Sequence, residues 1–441
     1  MSPAPGGPRL WTLPLASGGL LLAGAIGLQP HGDLLQADNL APFLGSAAVM
    51  GTGFVLSWFL PRIPSLLFWS VAIACRLVVL AMEPGDDIWR YLWEGLIQNQ
   101  GFNPYLLPPE APVLSGLRTA WWPLINHPDT SAIYPPLAQL GFRGLAAIAP
   151  AVLLFKATFL VADLGLCALL SKSFGIQRAA LYAWNPLAIY AVSGGGHYES
   201  WFLLPLVAGW LVAEGRLGRG LPWPWLWSTL LLGISVALKW VSMPLLGYGI
   251  WQSLRQGRPV RAGLVGMLGL LPLVLSSLAF GHGGSWRLLP TDSVFMTRGR
   301  SAEWIPHLVG QVWPWTLRSN APYGLALLLA VVLLLAFSRS LRDFAWGYWL
   351  ALLLLSPIVH AWYFLWLLPF AVPDQNWGAR LVSLSAFLYF VLPSRAPQWM
   401  LTEPERWGLW LPLILGCLLS ARQARSAAPA TTSAAAPSDR V

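Results

Sequence analysis

Charge is what this sequence lacks. Only 10% of its 441 residues are Asp, Glu, Lys or Arg, against roughly 25% in a soluble domain. With 56% hydrophobic residues and a mean hydropathy of +0.58, there are too few polar groups to cover a water-facing surface. Lipid must cover it instead, which excludes a soluble globular protein. Cysteine is scarce too. Cys75, Cys167 and Cys417 all fall in apolar stretches, without the spacing of a disulfide framework or a zinc site, and read as small packing residues.

Long apolar runs are abundant. A spanning helix needs about 20 mostly apolar residues. Such stretches recur near 10–28, 40–60, 64–82, 152–170, 178–193, 200–213, 224–239, 241–251, 262–280, 321–338, 343–356, 361–373, 379–394 and 406–420. The expected fold is an all-α polytopic bundle of about 12–14 transmembrane helices, forming one domain over residues 1–420. Residues 421–441, rich in Ala, Ser, Thr and Pro, read as a disordered tail. Tryptophan is plentiful, with 27 residues. Trp11, Trp121, Trp122, Trp223, Trp225, Trp313, Trp315, Trp407 and Trp410 lie at segment ends, where interface anchoring accounts for most of them.

A net charge of +9 would suit a nucleic-acid partner, but the placement of the basic residues argues against one. Arg62, Lys172, Arg178, Arg216, Arg219, Arg255, Arg258, Arg261, Arg339, Arg342, Arg422 and Arg425 occupy short connections between apolar runs, the pattern by which cytoplasmic loops set topology. Both termini then face the cytoplasm of an inner membrane. The long loops 83–132 and 281–320 face the outside. Residues 134–171 resist this count, because they look like two helices where one crossing is needed; one helix is expected to re-enter or lie along the surface.

Ionisable groups at a membrane edge are costly and mark function by default. The first cluster is Asp86-Asp87-Ile-Trp-Arg90-Tyr-Leu-Trp-Glu94. Pro84 and Gly85 end the preceding span, Asp86 is placed to cap a new helix over 87–99, and Ile88, Leu92 and Leu96 give that helix an apolar stripe. An amphipathic helix lying on the outer membrane surface is expected. One carboxylate suffices for a cap, whereas two adjacent ones repel and raise the pKa of one, as a general base requires. Tyr134 opens the return into the apolar phase and is placed to face a cavity, although Pro135 and Pro136 serve as a rigid helix start. His197 and Glu199 follow a run of three glycines in a tight outer turn. The pair suits a metal or a phosphate, but two ligands do not make a metal site, so no cofactor is assigned and a divalent metal stays open. Lys239, flanked by apolar residues near the outer face, suits a phosphate anion as a point charge. His360 and Tyr363 sit in another outer turn, where an imidazole and aromatic rings can meet a phosphate or stack on a sugar. Loop 281–320 carries His282, Arg287, Asp292, Arg298, Arg300, Glu303, Trp304 and His307, of which Arg298 and Arg300 can grip a phosphate bidentately. Solvated turns, interface anchoring and helix starts are the plain alternatives for each group. The weight lies in five distant segments falling on one predicted side of the membrane.

Taken in order, Asp86-Asp87-Ile-Trp-Arg-Tyr-Leu-Trp-Glu-Gly95, Gly101-Phe-Asn-Pro-Tyr105 and Tyr134-Pro-Pro-Leu137 resemble the first outer loop of GT-C fold glycosyltransferases. The likeness is strongest to bacterial-type relatives of the polyprenyl- or dolichyl-phosphate-mannose-dependent mannosyltransferases, including those of glycosylphosphatidylinositol assembly. It covers roughly residues 64–420, with the His197, Lys239 and His360 segments in the order such proteins show. The resemblance implies inverting transfer of a hexose, mannose first, from a polyprenyl-phosphate-sugar donor to a glycan or glycolipid acceptor on the periplasmic face. Asp86 or Asp87 is then the base, and Arg90, Glu94, Tyr134, His197, Glu199, Lys239, Arg298, His360 and Tyr363 bind donor phosphate or substrate. Two departures are visible: three helices rather than one precede the Asp pair, and no soluble outer domain follows the last span. A transporter or flippase of lipid-linked sugars is the competing reading. It would place charges at the bilayer midplane and show internal repeats, and neither is evident here.

Overall fold

The computed structural model describes residues 9–281, 288 and 297–427. Among these residues every regular element is helical and none is a strand. Five stretches are long and apolar enough to cross a membrane: Thr12–His31, Ala37–Ser57, Val152–Phe174, Pro259–Phe280 and Trp377–Arg395. Ser65–Leu80, Glu199–Ala213, Pro224–Leu238 and Ala321–Phe337 are apolar but shorter. The chain is a helical membrane protein. The expectation of 12–14 spans depends on such shorter segments crossing as well.

The longer α-helices are α1 (Arg9–Leu28), α2 (Ala37–Ser57), α3 (Ser65–Leu80), α4 (Asp87–Asn99), α5 (Pro136–Ile148), α6 (Val152–Phe174), α7 (Ile176–Ala183), α8 (Glu199–Ala213), α9 (Pro224–Leu238), α10 (Met243–Arg255), α11 (Pro259–Ser277), α12 (Ile305–Val312), α13 (Ala321–Phe337), α14 (Leu341–Leu355), α15 (Trp377–Ser385) and α16 (Glu403–Ala427). Proline stands at the first helical position of α5, α9 and α11, where its missing N–H costs nothing and its fixed φ favours the helix. The lipid-facing character of α13 is plain: Leu325, Leu328, Leu329, Val332 and Phe337 are all exposed, a surface that water would not tolerate at this density.

The connections sort to two ends of the bundle. At one end, Gln177 donates to the Leu60 carbonyl, Gln375 to the Arg178 carbonyl and Arg342 to the Phe370 carbonyl, while Arg216 lies over Phe174. That end carries the basic loops. At the other end, Gly85 meets Gly195, Asn103 reaches Phe280, and Lys239 meets Glu199. Among the described residues, the Asp86, Tyr134, His197, Lys239 and His360 clusters are tied into that second end, and so is the segment after Arg298, where the Ser301 N–H donates to the Pro357 carbonyl.

The ambiguity over 134–171 resolves here. Tyr134, just before α5, accepts through its carbonyl from the Tyr105 hydroxyl, and Lys156, early in α6, donates to the Met82 carbonyl. Both ends of the 13-residue α5 therefore lie at the second end of the bundle. The helix packs along α4 rather than crossing. Gly95 permits the contact: a Cβ there would stand 2.4 Å from the Phe142 carbonyl oxygen.

Four expectations are corrected. The amphipathic helix α4 does not lie on a surface; Ile88, Arg90, Tyr91, Trp93, Glu94 and Gln98 are buried beneath α5 and the loop that follows α4. Trp121 and Trp122 fold that loop, with Trp121 against Trp89 and Trp93, instead of anchoring at an interface. Trp410 is likewise buried, donating to the Ala302 carbonyl. Residues 421–427 continue α16, so the tail does not begin at 421; residues 428–441 lie outside the described residues, as do His282, Arg287 and Asp292.

The bundle interior holds one charged pair that the apolar runs concealed. Arg76 of α3 and Asp163 of α6 are fully buried, 2.6 Å apart. Arg76 also donates to the Ala72 and Ala183 carbonyls, and the Tyr182 hydroxyl donates to Asp163. Three helices are thus joined where lipid offers nothing to hydrogen-bond.

Candidate functional site

The site is assembled by a contact between two glycine turns. The Gly85 N–H donates to the Gly195 carbonyl at 2.9 Å. A Cβ on Gly85 would meet that oxygen and the His197 Nε2, each at 3.3 Å, and one on Gly196, whose φ is +74°, would meet Ile88 at 2.8 Å. The glycines therefore bring backbone to backbone rather than backbone to a ligand. The consequence is that the start of α4 is pressed against His197.

The two carboxylates there differ. Asp86 does not cap α4; its backbone is already helical and its side chain makes no cap hydrogen bond. Its side chain is exposed to solvent at this end of the bundle, with protein crowded around it. Desolvation, followed by the neighbouring Asp87 charge, raises its pKa above the ordinary value of 3.8. Asp87 is half-buried. It accepts a 3.0 Å hydrogen bond from the Asn126 side chain and lies 3.3 Å from His197 Nδ1. These contacts outweigh its desolvation and hold its pKa below the usual carboxylate range. One carboxylate is kept ionised and fixed, while its neighbour is made more basic.

Arg90 and Glu94 fix the loop that supplies Asn126. Arg90 donates to the carbonyls of Asn126, His127, Thr130 and Ser131 and twice to Glu94. All five of its N–H groups are committed, so the guanidinium has none left for a phosphate. Glu94 takes a further bond from Gln139 of α5. Both residues are structural here.

Beyond Asp87 the wall is aromatic. The Trp362 indole lies between two imidazoles, 3.6 Å from His197 and 4.6 Å from His360 between ring centres, with interplanar angles of 18° and 4°. His360 Nδ1 shares a 2.6 Å hydrogen bond with the Tyr389 hydroxyl. Burial pushes the His360 pKa down to about 4, which makes it a neutral hydrogen-bonding group near pH 7. Asp87, His197, Lys239 and His127 are all close enough for their charges to act on it.

Lys239 follows α9 in extended conformation, with φ −152° and ψ 120°. Its ammonium pairs with Glu199 and stands 4.8 Å from the ring centre of Tyr198, 5.1 Å from Trp366, 5.5 Å from Phe202 and 5.6 Å from Tyr363. Lys239 is therefore not a free point charge but half of an ion pair inside a cage of rings. Tyr134 is buried among Tyr91, Phe142 and Tyr198, and packs rather than lining open space. Arg298 is exposed, three residues before Ser301, whose N–H donates to the Pro357 carbonyl in the turn that carries His360. Arg300 donates to the Thr316 carbonyl and lies over Tyr323. Among the described residues no group of three or more His, Cys, Asp or Glu gathers as a metal would need.

Sequence reasoning missed Asn126, His127, Lys156 and Tyr389. Asn126 and His127 sit in a loop without periodicity, and Tyr389 and Lys156 sit inside apolar runs; nothing in the pattern separates them from packing residues. No family model, curated protein or solved structure matches this chain.

Proposed function

We propose that this protein is a membrane glycosyltransferase of the GT-C type, moving a hexose, mannose first, from a polyprenyl-phosphate-sugar donor to a glycan or glycolipid acceptor. The observation that carries the reading is the divided role of the Asp pair: one open carboxylate of raised pKa beside one fixed, ionised carboxylate, next to the His197–Trp362 stack. General base catalysis needs a carboxylate poised towards the working pH and within reach of the acceptor hydroxyl. Asp86 meets that need better than Asp87, whose oxygens are occupied by Asn126 and approached by His197.

In the proposed step, Asp86 takes the proton of the acceptor hydroxyl. The acceptor oxygen attacks the anomeric carbon from the face opposite the phosphate. The bond from that carbon to the phosphate oxygen breaks, and its electron pair leaves with the polyprenyl phosphate. A phosphodiester leaves as an anion, so no second carboxylic acid is required, unlike the paired carboxylates of glycoside hydrolysis. His360, the partly exposed member of the stack on Trp362, offers a ring face to the sugar. Lys239 serves the leaving phosphate only by loosening from Glu199. The basic end of the bundle is assigned to the cytoplasm, following the distribution of arginines, and the Asp end to the periplasm.

The test is transfer by purified protein in nanodiscs, given radiolabelled polyprenyl-phosphate mannose and a host lipid extract. The reading expects label in a new product, lost in Asp86→Asn and reduced in Asp87→Asn. Absence of transfer from several lipid-phosphate sugars, with both variants as competent in the cell as wild type, would overturn it.

A further inference from the structure

The basic end of the bundle holds two adjoining recesses that the proposed reaction does not use. One, of about 470 Å³, is lined by Arg62, Ser65 and Ser171; the other, of about 280 Å³, by Trp58, Arg178, Gln375 and Arg380; Gln177 borders both. No carboxylate lines either one.

The smaller recess is surrounded by unused hydrogen-bonding capacity. Trp58 Nε1–H, Arg380 Nε–H and the Gln177 Oε1 are each buried without a hydrogen-bond partner. Buried polar groups are nearly always satisfied, and each exception calls for an explanation. The orientation of Gln177 is fixed, because its Nε2 donates to the Leu60 carbonyl. The surroundings are held in place: Arg380 lies 4.8 Å from the ring centre of Trp377 and 5.4 Å from that of Trp58, and its Nη2 donates to Gln375. Gln375, at φ +55°, in turn donates to the Arg178 carbonyl. A non-glycine residue at positive φ persists where its surroundings over-determine it. Arg178 is exposed at the rim.

Two N–H donors, two guanidinium charges and one acceptor, in a recess free of carboxylates, match an anion that also carries an O–H. We infer that this recess binds a phosphodiester bearing a free hydroxyl: the headgroup of an anionic glycerophospholipid of the same leaflet, or the equivalent soluble glycerophosphodiester. Basic pockets between helices at a cytoplasmic face are suited to such headgroups. The phosphate takes the arginines and the indole N–H, and the hydroxyl donates to Gln177. This site is independent of the transferase reading.

The experiment uses the full chain, purified and delipidated, and measures binding by native mass spectrometry together with thermal shift. The probes are phosphatidylglycerol, phosphatidylcholine and soluble glycerophosphoglycerol. Phosphatidylglycerol is expected to be retained and to raise the melting temperature, phosphatidylcholine to do neither. Arg178→Gln, at the exposed rim, should weaken binding about tenfold without altering the fold, and Arg380→Met, which keeps the packing between the indoles, should abolish it. Glycerophosphoglycerol binding as tightly as the lipid assigns the site to a soluble headgroup. Equal retention of both lipids, or retention untouched by either variant, overturns the inference.

Discussion

Replacing Arg90 by methionine separates two views of this residue. If Arg90 holds donor phosphate, the fold survives and only substrate affinity falls. The structure assigns it to the loop. Its side chain is 4% exposed, and its N–H groups go to four backbone carbonyls and to Glu94. Methionine keeps most of the stem volume and removes every one of these bonds, leaving Glu94 buried with only Gln139 beside it. Removing one partner of a buried pair costs about 3–5 kcal/mol. Hydrogen bonds to charged groups contribute about 1.5–3 kcal/mol each, less when they act together. A cost on the order of 3–5 kcal/mol, confined to the loop, shifts the local closed-to-open ratio by roughly 10²–10³ or more, since 1.4 kcal/mol is a factor of about ten. Amide hydrogen exchange reads this directly. Protection should collapse at residues 126–131, where the freed carbonyls lie, while the Arg76–Asp163 region stays protected. Adding Glu94→Leu to Arg90→Met should recover part of the loss, because no buried charge is then left unpaired. Unchanged exchange over 126–131, with a raised KM for donor, would refute the structural assignment and restore Arg90 to substrate binding.

Two further outcomes follow from other parts of the molecule. With its pKa raised, Asp86 gains its proton at a higher pH than a free carboxyl, so the base is lost as pH falls and kcat/KM should decline on an acid limb above pH 3.8. Asp87→Asn removes the charge that helps raise it and should move the limb of the residual activity to lower pH; His360, down at about 4, contributes no limb near 6.5, and one that vanishes in His360→Gln would contradict this. In the interior, Asp163→Ala strands the Arg76 guanidinium and should cost about 3–5 kcal/mol, whereas Arg76→Met with Asp163→Leu should come close to wild type, as read by tryptophan fluorescence on heating.

Much of this arrangement was legible in the sequence because it depends on where charge is absent. Poverty of charge excluded a soluble fold, and the arginine-bearing loops predicted a bundle with two unlike ends, the division seen in the contacts of Gln177 and Gln375 at one end and of Gly85 and Lys239 at the other. The Asp pair, His197, Lys239 and His360 stood out as polar groups beside helix breaks, and they meet. What failed was the assignment of partners. An isolated cation invites an anion, which makes Lys239 read as a phosphate ligand, and the family resemblance sets Arg90 at donor phosphate or substrate; each has an acid of this chain nearer to hand, Glu94 four residues away and Glu199 forty residues away. The first spacing was visible; the second depends on the packing of α8 against α9. Arg76 and Asp163 escaped notice because a single charge in an apolar run scarcely alters its hydropathy, although 87 residues apart they neutralise one another.

The Lys239–Glu199 pair is where this correction bears on chemistry. A free ammionium would attract a phosphate by charge alone, while a pair presents no net charge and must be divided to do so. Glu199 is the deeper member, 1% exposed against 14% for Lys239, and its Oε2 has no hydrogen-bond partner. An arriving phosphate therefore meets the ammonium first and competes with one carboxylate oxygen for it, while the surrounding rings stabilise the cation whichever anion it faces. On this argument Glu199→Gln does not destroy the site but frees the lysine, so donor should bind more tightly, with KM falling severalfold. Turnover should fall as well, because the leaving polyprenyl phosphate is held by the same freed charge. Lys239→Met should do the reverse to binding, and it leaves Glu199 buried and unpaired, so it should also destabilise the fold. Adding Glu199→Gln to Lys239→Met restores stability but not affinity. Donor binding that is weakened in Glu199→Gln as much as in Lys239→Met would mean that the carboxylate itself contacts the substrate, and the pair would then have to be read as one unit of the binding site.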